Sequence, residues 1–263
     1  VVKLDSIGIS CRLNPLSSPR GFMRVAIIEN MAGTPHGQLG VALKEAAAEV
    51  HIIRAYAGEP LPKDAADHDA LVVLGGEQTA LDDALYPYLP DLALLMKAFG
   101  DAGKAVMGVC LGSQLLARAY GGENILSGPP EFGWEEVSLT EEGVSDPLLA
   151  GLEKTFPIFQ WHCDTFTLPP DATRLATNGA TRNQAFRIGR AVYGTQFHFE
   201  ASAAVVDGWC QTFPTSVERM SPGWLENYHD HRSLRAEMAD AAGLEIARAW
   251  VRLIQSGDFP LRK

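Results

Sequence analysis

Hydrophobic positions along the chain fall into two periods. Arg24 to Glu29 is a short apolar block with charged ends, and Val50 to Arg54, Ala70 to Leu74 and Lys104 to Val109 repeat that pattern. Nearly continuous β-branched and aliphatic blocks of this length predict strands buried on both faces. Between them, Gln38 to Glu49, Leu89 to Phe99 and Ser113 to Tyr120 carry apolar residues at helical spacing. Strands alternating with helices predict a mostly parallel central sheet flanked by helices, an α/β fold.

The middle of the chain reads differently. Trp134 to Leu139, Phe156 to His162 and Thr173 to Thr177 alternate as antiparallel or edge strands do. Ala185 to Arg187, then Gly189, then Ala191 to Phe197 predict a hairpin leading back to the core. An additional small antiparallel sheet is therefore expected. Gln211 to Asn227 shows no regular period, and Leu244 to Ile254 closes the chain as an amphipathic helix. Residues 1–22 lack a clear period and contain Pro15 and Pro19, ahead of a Met23 that opens the first strand. They are expected to be a non-native or disordered extension. Residues 23–263 are expected to form one domain, with 205–263 as a C-terminal helical tail.

Composition changes this picture little. The 263 residues are 46% hydrophobic and 21% charged, with a net charge of −10. An acidic chain without a basic run repels phosphate backbones, so no nucleic-acid partner is expected. No apolar run reaches the ~18 residues of a membrane span, so no membrane partner is expected either. Cys11, Cys110, Cys163 and Cys210 are far apart and form no C-x-x-C pair. That spacing supports neither a zinc knuckle nor a disulfide scaffold, and it points to a reducing, cytoplasmic setting.

The candidate chemistry lies at strand ends. Gly108-Val109-Cys110-Leu111-Gly112 joins a predicted strand to a predicted helix. Small neighbours permit a strained turn that exposes the central side chain. The positive end of the following helix then favours a thiolate. The alternative is a core cysteine between turn glycines. In Gln196-Phe197-His198-Phe199-Glu200, placed at a strand end, residues two apart share a direction. A carboxylate at 200 then orients an imidazole at 198, as a cysteine nucleophile requires. Leu74-Gly75-Gly76-Glu77 ends another core strand, where glycine lets the backbone approach a substrate and offer N–H donors to an oxyanion. Gly76 and Leu111 are the expected donors. The order Cys, His, Glu differs from the nucleophile–acid–His order of α/β-hydrolases.

These three blocks resemble the signatures of class I (triad-type) glutamine amidotransferases, over roughly residues 24–200 and in the family's order. The closest likeness is to stand-alone members similar to the glutaminase domain of GMP synthase. The segments Glu131-Phe132-Gly133-Trp134, Trp161-His162-Cys163-Asp164-Thr165-Phe166 and Asn183-Gln184-Ala185-Phe186 share that likeness. The resemblance implies a flavodoxin-like class I glutaminase fold. It makes Cys110 the nucleophile, His198 the base and Glu200 its partner, with Gln114 binding the glutamine side of the substrate. His162 and Asp164 are implied near the pocket. Two positions depart from the family: Glu77 stands where proline often follows the glycine pair, and Phe199 where the family often reads His-Pro-Glu. Glu77 puts a negative charge near the pocket, suited to a substrate ammonium. Gln184 and Phe186 read as strand packing rather than ligands.

The implied reaction is hydrolysis of the glutamine side-chain amide through a thioester, without metal or organic cofactor. About 60 residues follow Glu200, fewer than a typical domain of ~100–150, and the chain has no G-x-x-x-x-G-K-[ST] phosphate loop. A separate synthetase subunit is the expected ammonia acceptor. γ-Glutamyl peptide hydrolysis by the same residues is the alternative, and a catalytically silent binding module is a third reading.

Overall fold

A computed structural model describes residues 22–256. The expectation for residues 1–21, and with it Cys11, lies outside the described residues. Five strands form the parallel half of a nine-stranded sheet: β1 (Arg24–Glu29), β2 (Glu49–Arg54), β3 (Ala70–Val73), β4 (Ala105–Val109) and β11 (Val192–Thr195). The antiparallel half comprises β6 (Glu131–Leu139), β7 (Thr155–His162), β9 (Ala172–Thr177) and β10 (Ala185–Ile188). The order across the sheet is β2-β1-β3-β4-β11-β10-β9-β6-β7. The antiparallel strands thus extend the main sheet. The separate small sheet is a two-stranded one of β5 (Asn124–Ile125) and β8 (Thr165–Phe166).

Alternate residues of the central strands feed two cores. Val25, Ile27, Val72 and Met107 face one side, where α1 (Gly37–Glu45) and α8 (Ser233–Gln255) contribute Leu39, Leu43, Ile246 and Trp250. Ala26, Ile28, Leu71, Val73 and Val106 face the other, against Leu92, Met96 and Phe99 of α2 (Tyr88–Asp101) and Leu115 and Leu116 of α3 (Leu111–Ala119). Each buried aliphatic side chain of this kind stabilises the fold by roughly 1.5–3 kcal/mol. Burial on both faces is why these strands read as continuous apolar blocks. A seam joins the two halves of the sheet. Asp146, just after α4 (Glu141–Ser145), is buried and accepts from Arg187 of β10 at 2.7 Å, Tyr193 of β11 at 3.1 Å and the Leu148 amide at 2.9 Å. Burial and that carboxylate push the Tyr193 hydroxyl far above the usual phenol range.

Three elements differ from the sequence reading. The helix expected over Gln38 to Glu49 stops at Glu45, because Ala47 takes a left-handed φ of 51° and Glu49 joins β2. The irregular stretch Gln211 to Asn227 contains the end of α5 (Ala203–Thr212) and a short α6 (Pro214–Met220), started by proline at its first position. The closing helix is α8, 23 residues long instead of eleven. Its Gly243 hid it: a Cβ there would lie 2.2 Å from the Phe199 carbonyl oxygen, so a helix-weakening residue is required for close packing. A further turn, α7 (Tyr228–His231), precedes α8. Among the described residues no helix is long and apolar enough to cross a membrane.

Candidate active site

Strands β3, β4 and β11 are neighbours and end together. The segments that follow them, Leu74-Gly75-Gly76-Glu77, Cys110-Leu111 and Gln196 to Glu200, surround one cavity of about 200 Å³. This is the carboxyl edge of a parallel sheet, where ligands bind in open α/β folds.

Cys110 occupies the turn between β4 and α3 with φ 52° and ψ −109°. A non-glycine residue in this region costs on the order of 1–3 kcal/mol and persists only where its surroundings fix it. Here the Cys110 amide donates to the Thr195 carbonyl at 2.8 Å, and its own carbonyl accepts from the Ser113 amide at 2.9 Å and hydroxyl at 2.7 Å. The flanking glycines make the turn possible. A Cβ on Gly108 would meet the Gly112 carbonyl oxygen at 2.4 Å, and one on Gly112 would meet that of Val73 at 2.0 Å. The Cys110 Sγ is left at the cavity wall, 3.7 Å from the Trp161 carbonyl oxygen.

The imidazole and carboxylate come together by a route different from the expected strand period. β11 stops at Thr195, and His198 lies beyond it, its amide donating to the Phe159 carbonyl of β7 at 2.9 Å. The Glu200 backbone is pinned separately, its carbonyl accepting from the Gln38 amide at the start of α1 at 3.0 Å. The side chains still meet: His198 Nδ1 lies 2.7 Å from Glu200 Oε1, and both residues are buried. The space beside Gly75 is shared by thiol and ring. A Cβ built there would lie 3.1 Å from His198 Cε1 and 4.0 Å from Cys110 Sγ. Burial opposes the imidazolium, but the Glu200 carboxylate and the Cys110 sulfur outweigh it and push His198 up to about 10. Trp209 of α5 packs edge-on against the ring at 5.4 Å.

Gly76 and Leu111 line the same cavity, and among the described residues neither amide finds an acceptor. Gln114 lines it too, with Nε2 donating to the Asp164 carbonyl at 3.0 Å. His162 faces inward: Nδ1 lies 3.2 Å from the Asp164 carbonyl, and Nε2 lies 3.2 Å from Glu131 Oε2, off the line of a good hydrogen bond. Burial pushes the Glu131 carboxyl up, but the neighbouring His162 ring, the Thr181 hydroxyl and the Asn178 amide outweigh it and hold the group below the usual range. Gln184 belongs to this buried polar network, donating to Glu131 and accepting from Gln160, both at 2.9 Å. Asp164 Oδ1 accepts from the Ser127 amide at 2.8 Å. Glu77 is exposed at the cavity. Among the described residues no group of three or more His, Cys, Asp or Glu side chains is placed to hold a metal ion.

Sequence reasoning did not single out the opposite wall. Trp161, Trp209 and Phe213 form an aromatic surface with ring separations of 5.5 and 6.2 Å, and Ser216, Arg219 and Met220 of α6 continue it. Gly133, at φ 105°, leaves room for the turn after α6, whose Trp224 a Cβ would meet at 2.7 Å, and the Gly223 and Leu225 amides of that turn donate to Glu218 of α6 at 2.7 and 2.8 Å. Nothing in a single sequence ties residues 209–220 to a site built around residue 110.

A thiol at a strained turn, an imidazole 2.7 Å from a buried carboxylate and two amides without acceptors among the described residues thus meet along one cavity. The family model for class-I glutamine amidotransferases matches residues 36–207, and the chain belongs to this enzyme family. It is 37% identical to the glutamine amidotransferase-like protein YfeJ of Salmonella typhimurium over 163 residues, 60% of this chain and 67% of that protein. Its identity to a glutamine-hydrolyzing GMP synthase subunit of Thermoplasma acidophilum is 27%, over 68% of this chain and 84% of that one. Matches to other GMP synthases and their subunits span 22% to 53% of those proteins. The crystal structure of a glutamine amidotransferase from Methylobacillus flagellatus superposes with a TM-score of 0.80 at 26% identity, covering 92% of this chain and all of that one. The parallel core, the antiparallel extension and the C-terminal helix match that family's structures.

Proposed function

We propose that Cys110, His198 and Glu200 hydrolyse the γ-amide of glutamine through a thioester. The observation that carries this reading is the meeting of thiol, imidazole and buried carboxylate beside Gly75, with His198 Nδ1 committed to Glu200 at 2.7 Å. That bond leaves Nε2 as the ring atom that exchanges protons. The Cys110 thiolate attacks the γ-carbon, and the amides of Gly76 and Leu111 hold the oxyanion. The tetrahedral species collapses as Nε2 gives its proton to the departing nitrogen. Ammonia leaves and the γ-acyl group stays on sulfur. Neutral His198 then takes a proton from water, the hydroxide adds to the thioester, and glutamate departs as the thiolate returns. Gln114, His162 and Asp164 shape the glutamyl end of the pocket, and Glu77 attracts the substrate's ammonium. No cofactor enters these steps.

Relatives named as glutamine-hydrolyzing subunits of GMP synthase suggest that the ammonia acceptor here too is a separate synthetase subunit. γ-Glutamyl peptide hydrolysis is the second reading. It draws on the wall of Phe213, Ser216, Arg219 and Met220, which lines the cavity but lies beyond the residues 36–207 that the family model matches. Ammonia release from glutamine and amino-acid release from γ-glutamyl dipeptides, measured on wild type and Cys110→Ser, test both. Turnover of glutamine that vanishes in the variant supports the first reading. Turnover of dipeptides alone selects the second, and a fully active variant overturns both.

A further inference from the structure

The cavity is walled by acidic, aromatic and amide groups, and Arg219 is the single arginine or lysine among its described lining residues. The residue is exposed, and among the described residues it pairs with no carboxylate; its guanidinium donates to Ser216 Oγ one turn back at 3.2 Å. An arginine has five N–H donors, so most remain free to grip a planar anion with two parallel hydrogen bonds. The acids nearest the chemistry are already engaged, Glu200 by His198 and Asp164 by the Ser127 amide.

Position decides which part of a substrate this charge meets. Burial, Asp164 and Cys110 push the Cys163 thiol up, and Arg219 is the neighbour that works against them. The guanidinium is therefore felt at the Cys163-Asp164 side of the cavity. That is also where Gln114 is tied to Asp164, the end assigned above to the glutamyl moiety. We infer that Arg219, oriented by Ser216, is a specificity-determining residue that binds the free α-carboxylate of the glutamyl substrate. The preferred substrates are then γ-glutamyl compounds whose α-carboxylate is unblocked, and the selecting residue lies outside the family match at residues 36–207. The inference rests on the acyl-transfer reading for the orientation of the substrate.

The test separates the two. In Cys110→Ala protein, which cannot form the thioester, equilibrium binding of L-glutamine is compared with that of its α-carboxamide. Hydrogen bonds to charged groups predict a roughly 10- to 100-fold preference for the carboxylate. Adding Arg219→Gln is expected to reduce the preference to within about threefold, while Arg219→Lys keeps part of it. Turnover of the same pair by the otherwise wild-type enzyme and its Arg219→Gln variant should show the loss in KM rather than kcat. Unfolding curves for each variant check that α6 stays folded. An unchanged preference in Arg219→Gln, or no preference in the parent protein, overturns the inference even if hydrolysis proceeds through Cys110. Absence of any turnover, with the carboxylate preference intact and dependent on Arg219, overturns the reaction and not the binding assignment.

Discussion

Replacing Glu200 by glutamine removes the charge that His198 faces while keeping the side chain's length. The carboxylate lies 2.7 Å from Nδ1, both partners are buried, and Oε2 has no hydrogen-bond partner among the described residues. A hydrogen bond to a charged group contributes ~1.5–3 kcal/mol, which is ~10- to 150-fold in rate at ~1.36 kcal/mol per decade. If the ring also adopts the wrong tautomer, the loss approaches the ~10⁴-fold seen for the equivalent change in a serine protease triad. The pH profile is the sharper readout. Burial alone favours the neutral ring, and Glu200 is the largest influence opposing it, bringing His198 to about 10 from 6.5. The alkaline limb of kcat/KM is therefore expected near pH 10 in the wild type and at least one unit lower in Glu200→Gln. Stability follows the same linkage. A group whose pKa is raised on folding contributes fully below its unfolded value and loses that contribution as pH rises through the folded one. The wild type should thus lose stability between about pH 6.5 and 10 more steeply than the variant, as read by urea unfolding at both ends of that window. Superimposable pH–rate profiles and equal pH dependence of unfolding would refute the pairing of His198 with Glu200.

Other substitutions probe the surroundings. Gly76→Ala keeps the amide but places a Cβ 2.2 Å from Gln78 Oε1 and 2.9 Å from Asn30 Cβ, so the amide must shift; steady-state kinetics should show a loss of up to ~10²–10³-fold, the usual cost of one oxyanion donor. Asp146→Ala leaves Arg187 and the buried Tyr193 hydroxyl without their shared acceptor; urea unfolding should report a loss of ~3–5 kcal/mol. Cys210→Ser, on the helix behind Trp209 and outside the cavity lining, is expected to retain ammonia release within about twofold of wild type, because substitutions away from a site's contacts usually change little.

The central strands of the parallel half were legible because they are buried on both faces; β2, expected to be the same, is an edge strand and mostly exposed. The blocks at 24–29, 70–74 and 104–109 carry no polar interruption, and β1 matches its expected bounds residue for residue. The turn at Cys110 was legible for a related reason, since Gly108 and Gly112 leave no room for side chains. Glu200 does lie against His198, but not by the strand period expected. It reaches His198 from a bent segment held by Gln38 and Phe159, contacts 162 and 39 residues away in sequence that no local period encodes. α6 was missed because its seven residues bury only Val217, too little for a helical period to show. The turn that follows it, tied to Glu218, packs Trp224 against Gly133, a tertiary contact that no local pattern encodes. The wall bearing Arg219 was invisible for that reason, while the opposite wall of glycines and cysteine could be read directly.

The most direct measurement is capture of the acyl-enzyme. Protein mixed with excess glutamine, quenched in acid within a turnover, digested and weighed by mass spectrometry is predicted to carry a glutamyl group on the peptide containing Cys110, and Cys110→Ser to carry none there. Turnover without any adduct, or an adduct on Cys163 with Cys110 unmodified, would contradict the account.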